Sequence, residues 1–281
     1  MRLDDEQQST NIEDRRGRRI SPGLAGGGIG TLAIVLVALF FGVDPSVLLQ
    51  DNVSVDTTPP ENRRADSTDE MRNFVSRVLG STERTWGDIF RRAGREYQAP
   101  KLVLFSGAVD SACGFAQAAT GPFYCPRDAK VYIDLSFYRE LRERFRAPGD
   151  FAQAYVIAHE IAHHVQNQLG IMQPVMERQS RSSQRQANAL SVRLELQADC
   201  LAGIWAGTAN RERKILEEGD IEEGLNAAAQ IGDDRMQKRA QGYVVPEGFT
   251  HGSAEQRVRW FRRGLETGDL KQCDTFNAGQ V

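Results

Sequence analysis

Residues 150–168 read DFAQAYVIAHEIAHHVQNQ, and this stretch decides how the rest of the chain is understood. It is apolar and free of Gly and Pro, which predicts one helix from Asp150, able to cap it, to Gly170, suited to the position just past its end. Inside it lies His159-Glu160-Ile161-Ala162-His163. Residues four apart share a helix face, so both imidazoles can reach one metal ion. Glu160 comes one residue after the first of them and projects beside the metal rather than onto it. From there it can take a proton from a water whose pKa zinc has lowered. The chain has only four His, and three fall within this helix. His164 points off the metal face and reads as structural or surface.

Catalytic zinc usually takes three protein ligands and leaves the fourth place to water. No His lies six residues beyond His163, so the third ligand must be sought elsewhere. The next long helical pattern, about Leu190 to Thr208, carries Glu195 and, four residues on, Asp199. Glu195 suits the third ligand, and Asp199 suits an acceptor for the second nitrogen of His159, which would raise that ring's basicity. The fourth His, His251, precedes the last helix, where an imidazole could donate to the oxyanion of a tetrahedral intermediate. The predicted metal set is therefore His159, His163 and Glu195 around one zinc per chain, with Glu160 and His251 as the acting groups.

Outward from this core, the remaining pattern is α+β. Lys101–Phe105 and Val131–Leu135 read as strands, the second as an edge able to pair with an extended substrate. A capping box at Ser67 and Glu70 opens a helix with Met71, Phe74, Val75, Val78 and Leu79 inward. A second helix is expected around Trp86, Ile89 and Phe90. Gln173–Asn188 reads as a largely mobile loop, Asp220 opens a further helix, and Ser253 with Gln256 caps the last, with Val258, Phe261 and Leu265 inward. Lys+Arg 35 against Asp+Glu 38 leaves no basic excess for a nucleic-acid partner, and a mean hydropathy of −0.46 excludes several membrane spans.

One span is nevertheless expected. Residues 20–43 carry no charge, and about 20 apolar residues cross a bilayer. Arg15, Arg16, Arg18 and Arg19 precede the stretch, while Asp44, Asp51 and Asp56 follow it. The positive-inside rule then predicts a cytoplasmic tail (1–20), a single-pass anchor in the lipid bilayer of the cell membrane (21–43), a polar linker (44–68) and an extracytoplasmic zinc domain (69–281). In such a compartment Cys113–Cys125 and Cys200–Cys273 disulfides are permitted, the first closing a short loop and the second tying the Glu195 helix to the C-terminal tail. Four buried thiols in a cytosolic protein are the other reading.

Taken together, HEIAHHVQ (159–166), ELQADCLAG (195–203), IGDDRMQ (231–237) and FTHGSAEQR (249–257) resemble the bacterial neutral zinc metallopeptidase family, on the gluzincin side of the zincins. Thr250-His251-x-Ser253 with Arg257 also resembles the THPSxxxR element of membrane-associated zinc peptidases, with Gly252 in place of the Pro. The resemblance implies a zincin-like fold, mostly helical with a small sheet. The expected activity is zinc-dependent endopeptidase action on a peptide or protein in the cell envelope. A catalytically silent zinc-stabilised scaffold and a cell-wall peptide amidase are the alternatives.

Overall fold

The run from Ala154 to Ala162 has no polar face for water except at the metal-site positions, so its helix must be enclosed on nearly every side. The computed structural model describes residues 1–17, 63–118, 121–279 and 281. In it, helix α3 (Asp150–Gln168) runs through the centre of the core, and Phe151, Tyr155, Ile157 and Ile161 are fully buried. Gly149 rather than Asp150 holds its cap position, and Gly170, at φ +77°, follows its end.

On one side of α3 lies a four-stranded sheet in the order β1-β2-β6-β5: β1 (Ile12–Asp14), β2 (Lys101–Phe105), β6 (Lys130–Asp134) and β5 (Phe123–Cys125). β1, β2 and β6 are parallel, while β5 runs antiparallel to β6 with Tyr124 opposite Val131. The strand alternation sends Leu102, Leu104, Val131 and Ile133 into the main core, and Val103, Phe105 and Tyr132 into a small second cluster. That cluster lies with the hairpin of β3 (Ala108–Ser111) and β4 (Gly114–Gln117).

The helices α5 (Gln184–Arg213), α6 (Asp220–Gln230) and α1 (Arg63–Arg92) also pack on α3. α8 (Ala254–Thr267) lies along α5, its start fixed by the expected Ser253–Gln256 capping box. The cysteines pair as Cys113–Cys125 and Cys200–Cys273. Three local expectations change. The two predicted N-terminal helices are one continuous helix, with Ser67 inside it. The expected loop at 173–188 holds most of α4 (Met172–Ser180) and the start of α5. The strand around Val131–Leu135 is not an edge: β6 is paired on both sides, and among the described residues β5 is the edge on that side of the sheet.

The expected topology is corrected more deeply. Among the described residues no helix is long and apolar enough to cross a membrane, and the stretch 21–43 lies outside them. The N-terminal residues, meanwhile, are built into the domain. β1 hydrogen-bonds to β2, the Glu6 carboxylate meets Arg213 at 2.6 Å, and the Met1 amino group sits on Asp150 at 2.7 Å. At Gly80 of α1 the N-terminal segment passes so close that an added Cβ would stand 2.0 Å from the Gln7 carbonyl oxygen. Two strands of one sheet cannot lie on opposite sides of a bilayer. A cytoplasmic tail with an extracytoplasmic domain across a single-pass anchor is therefore not supported.

The docking of β1 carries a titratable lock. The Arg15 guanidinium, with Lys130 at 3.0 Å from the other oxygen, holds the Glu13 carboxyl down at about 2, well below its ordinary 4.5. A depressed folded-state pKa stabilises above the unfolded value and is lost as pH falls toward the folded one. Amide-exchange protection of β1 should therefore fall between about pH 4.5 and 2 while β2 and β6 stay protected. Glu13→Gln should flatten that response, and an unchanged acid profile in the variant would remove Glu13 as its cause.

Candidate metal centre

Helical spacing puts His159 and His163 one turn apart on α3, and α5, packed against it, brings Glu195 to the same point. His159 Nε2 lies 3.0 Å from one Glu195 oxygen and His163 Nε2 lies 3.4 Å from the other. Zinc takes nitrogen and oxygen ligands at about 2.0–2.1 Å, so donors on neighbouring corners of its tetrahedron stand about 3.3 Å apart. Two imidazoles and a carboxylate at this separation fit a zinc ion. Among the described residues a second acidic group, Asp150, Asp220 and Glu223, also comes together, but there the Met1 amino group supplies the positive charge.

Each imidazole is held from behind. His159 Nδ1–H donates to Asp199 at 2.8 Å, and His163 Nδ1–H donates to the Gln166 side-chain oxygen, also at 2.8 Å. With each Nδ1 so engaged, both Nε2 atoms are turned toward the Glu195 carboxylate. Asp199 is fully buried and is shared: Tyr155 donates to it at 2.5 Å, and Arg257 grips it through Nε at 2.8 Å and Nη2 at 3.0 Å. Burial works against that carboxylate, but Arg257 and then His159 outweigh it and hold its pKa at about 2. Gln166 is fixed by donating to the Leu194 carbonyl and to Gln197, which in turn donates to the Cys273 carbonyl. The Cys200–Cys273 bond thus anchors the support of His163.

Glu160 lies in the same cleft, 9% exposed, and burial raises its carboxyl above the ordinary glutamate range. His251 reaches this cleft from the loop before α8. Its placement depends on Asp233, at the start of α7 (Asp233–Gln241). One Asp233 oxygen accepts the backbone N–H groups of Thr250, His251 and Gly252 at 2.7, 2.6 and 3.0 Å, and the other lies 3.3 Å from His251 Nδ1. Gly252 has φ +96°, which a proline ring forbids, so this loop cannot have the backbone of a THPS element. His164 faces away, as expected. Its Nε2–H donates to the Gln98 carbonyl at 2.6 Å, and Nδ1 accepts from Tyr124 at 3.1 Å, which ties edge strand β5 to α3.

The structure thus brings His159, Glu160, His163, Glu195, Asp199 and His251 into one site, and both expected cysteine pairs form. Sequence reasoning missed Tyr155, Gln166 and Asp233, and it gave Arg257 no role. IGDDRMQ and HEIAHHVQ contained two of these residues, but no local spacing marks a carboxylate that gathers three amides from a loop 17–19 residues away.

A HExxH helix packed on a small mixed sheet, with a carboxylate supplied by the following long helix, belongs to the class of zinc-dependent peptidases. Within that class the chain is a member of the family described as "Putative neutral zinc metallopeptidase", which it matches over residues 1–276, as the sequence motifs implied. It is 47% identical over 285 residues to "Uncharacterized protein YpfJ" of Escherichia coli K12, covering 98% of this chain and 99% of that one. It is 39% identical over 258 residues to "Uncharacterized protein Rv2575" of Mycobacterium tuberculosis H37Rv, covering 87% and 86%. No solved structure matches the chain.

Proposed function

We propose that the protein is an endopeptidase that works with one zinc ion per chain, held by His159, His163 and Glu195. The observation that carries this reading is the convergence of both Nε2 atoms on the two Glu195 oxygens, with Glu160 in the same cleft. When bound, zinc supplies a Lewis acid that polarises a scissile carbonyl and makes nearby water acidic. Glu160 takes a proton from the attacking water and delivers it to the amine as the C–N bond breaks; the hydroxyl stays on the acyl carbon. His251, steadied by Asp233, donates to the developing oxyanion. Substrate lies extended along β5, whose outer edge has no strand partner among the described residues.

The charge in the cleft supports endopeptidase action over trimming from an end. A bound chain terminus needs a counter-charge. Among the described residues, the charged groups lining the cleft are those of the metal centre and Arg257, which is committed to Asp199. A chelator should abolish hydrolysis of an unfolded protein substrate, and about one equivalent of zinc should restore it. Full activity after complete metal removal would defeat the reading, as would a zinc-loaded protein that binds peptide but never cleaves it.

A further inference from the structure

Apart from the metal centre and Arg257, which is committed to Asp199, the described walls of the cleft, about 860 Å³ in volume, carry no charged side chain. They are mostly apolar, with Phe123, Phe137, Phe145, Val156, Met172 and Met236 beside the uncharged Gln184 and Asn188. Phe137 and Phe145 stand with ring centroids 6.2 Å apart, and the Arg144 and Arg239 guanidiniums lie over the Phe145 ring at 5.5 and 5.3 Å. A charged substrate residue entering here would lose water with no counter-charge among the described residues of this wall, at a cost far above that of an apolar one. A large apolar residue would gain about 25 cal/mol for each Å² it buries.

The apolar surface does not stop at the cleft. Among the described residues five large apolar side chains are exposed: Phe115, Met176, Tyr243, Val244 and Val245. Four of the five sit on, or lead into, elements that line the cleft. Met176 follows Met172 by one turn of α4, on the same face. Tyr243, Val244 and Val245, at 62%, 40% and 38% exposure, lead directly into the turn at Pro246–Gly248, whose Gly248 lines the cleft. That ridge is held in place: the Val245 N–H donates to Gln237 at 2.7 Å, and Asn188, a cleft residue, donates to the Glu247 carbonyl at 2.9 Å. An ordered apolar ridge leading into a peptide cleft marks a binding surface.

We infer that the substrate is an unfolded, apolar stretch of polypeptide: a large uncharged side chain enters the Phe137–Phe145 wall, and the apolar residues flanking it lie on the Tyr243–Val245 ridge and Met176. This rests on the peptidase reading for its chemistry, though not for its binding. Such stretches are buried in folded proteins, so the cleft selects chains that have lost their fold.

Two measurements separate the inference from the reading beneath it. The first is binding of fluorescent peptides to zinc-loaded Glu160→Gln, comparing a long apolar peptide with one of equal length carrying Asp and Lys at the same positions. The apolar peptide should bind at least about tenfold more tightly. The second is cleavage by the parent enzyme of a short and a long apolar peptide sharing one scissile site. Replacing Tyr243, Val244 and Val245 together by Ser should cut the long-to-short ratio of kcat/KM roughly tenfold, and Met176→Gln should cut it by less. Equal binding of the apolar and charged peptides overturns the inference even if both are cleaved, as does a ratio that the ridge substitutions leave unchanged. Apolar binding without any cleavage by the parent overturns the peptidase reading and leaves the inference standing.

Discussion

Glu160→Gln is expected to lower peptide hydrolysis by a factor of about 10²–10⁴ or more while leaving about one zinc per chain bound. The substitution keeps size, helix propensity and much of the hydrogen-bonding shape, so α3 should be undisturbed. What it removes is the ability to accept a proton, at a position 9% exposed where water cannot readily substitute for the lost base. The companion variant His163→Ala differs in kind. It removes an imidazole whose Nε2 stands 3.4 Å from Glu195, so zinc and activity should vanish together. Metal content measured beside turnover distinguishes the two. Activity equal to the parent in Glu160→Gln would show that another group is the base. Loss of zinc in that variant would show that Glu160 is itself a ligand.

The legible part of this site is the part whose chemistry imposes a local spacing. Two imidazoles on one metal must sit four residues apart on a helix, and Glu195 with Asp199 repeats that interval on α5. Gln166 is three residues from His163 on the same helix, yet a glutamine there reads as an ordinary polar residue until Gln197 is seen to hold its amide. Asp233 and Arg257 act on groups 18 and 58 residues away in sequence, where no periodicity reaches. The same limit explains the N-terminal error. Ile12-Glu13-Asp14 is too short and too charged to look like a strand, and its partner β2 lies about ninety residues on. The arginines that read as a topology signal include Arg15 and Arg16, which pair with Glu13 and Asp14. The positive-inside rule holds for charges in loops that flank a span, whereas these two arginines directly follow a sheet strand and pair with its carboxylates.

Arg257→Met is expected to destabilise the domain by about 3–5 kcal/mol, the usual cost of stripping one partner from a buried ion pair. The Arg257 and Asp199 side chains are 3% and 0% exposed, so neither can turn to water. With Arg257 gone, Asp199 would keep only Tyr155 and His159 against the burial of a full negative charge. At about 2–4 °C per kcal/mol for a domain of this size, the melting temperature should fall by roughly 6–20 °C. Adding Asp199→Ala removes the stranded charge and should recover a good part of that loss. Zinc affinity should move the other way. The double variant deprives His159 Nδ1 of its acceptor at 2.8 Å, which should weaken zinc binding roughly 10- to 100-fold although the fold is sounder. A melting temperature for Arg257→Met within a degree or two of the parent would mean that the carboxylate finds water or another cation. A double variant that binds zinc as tightly as the parent would mean that Asp199 serves the fold and does not position His159.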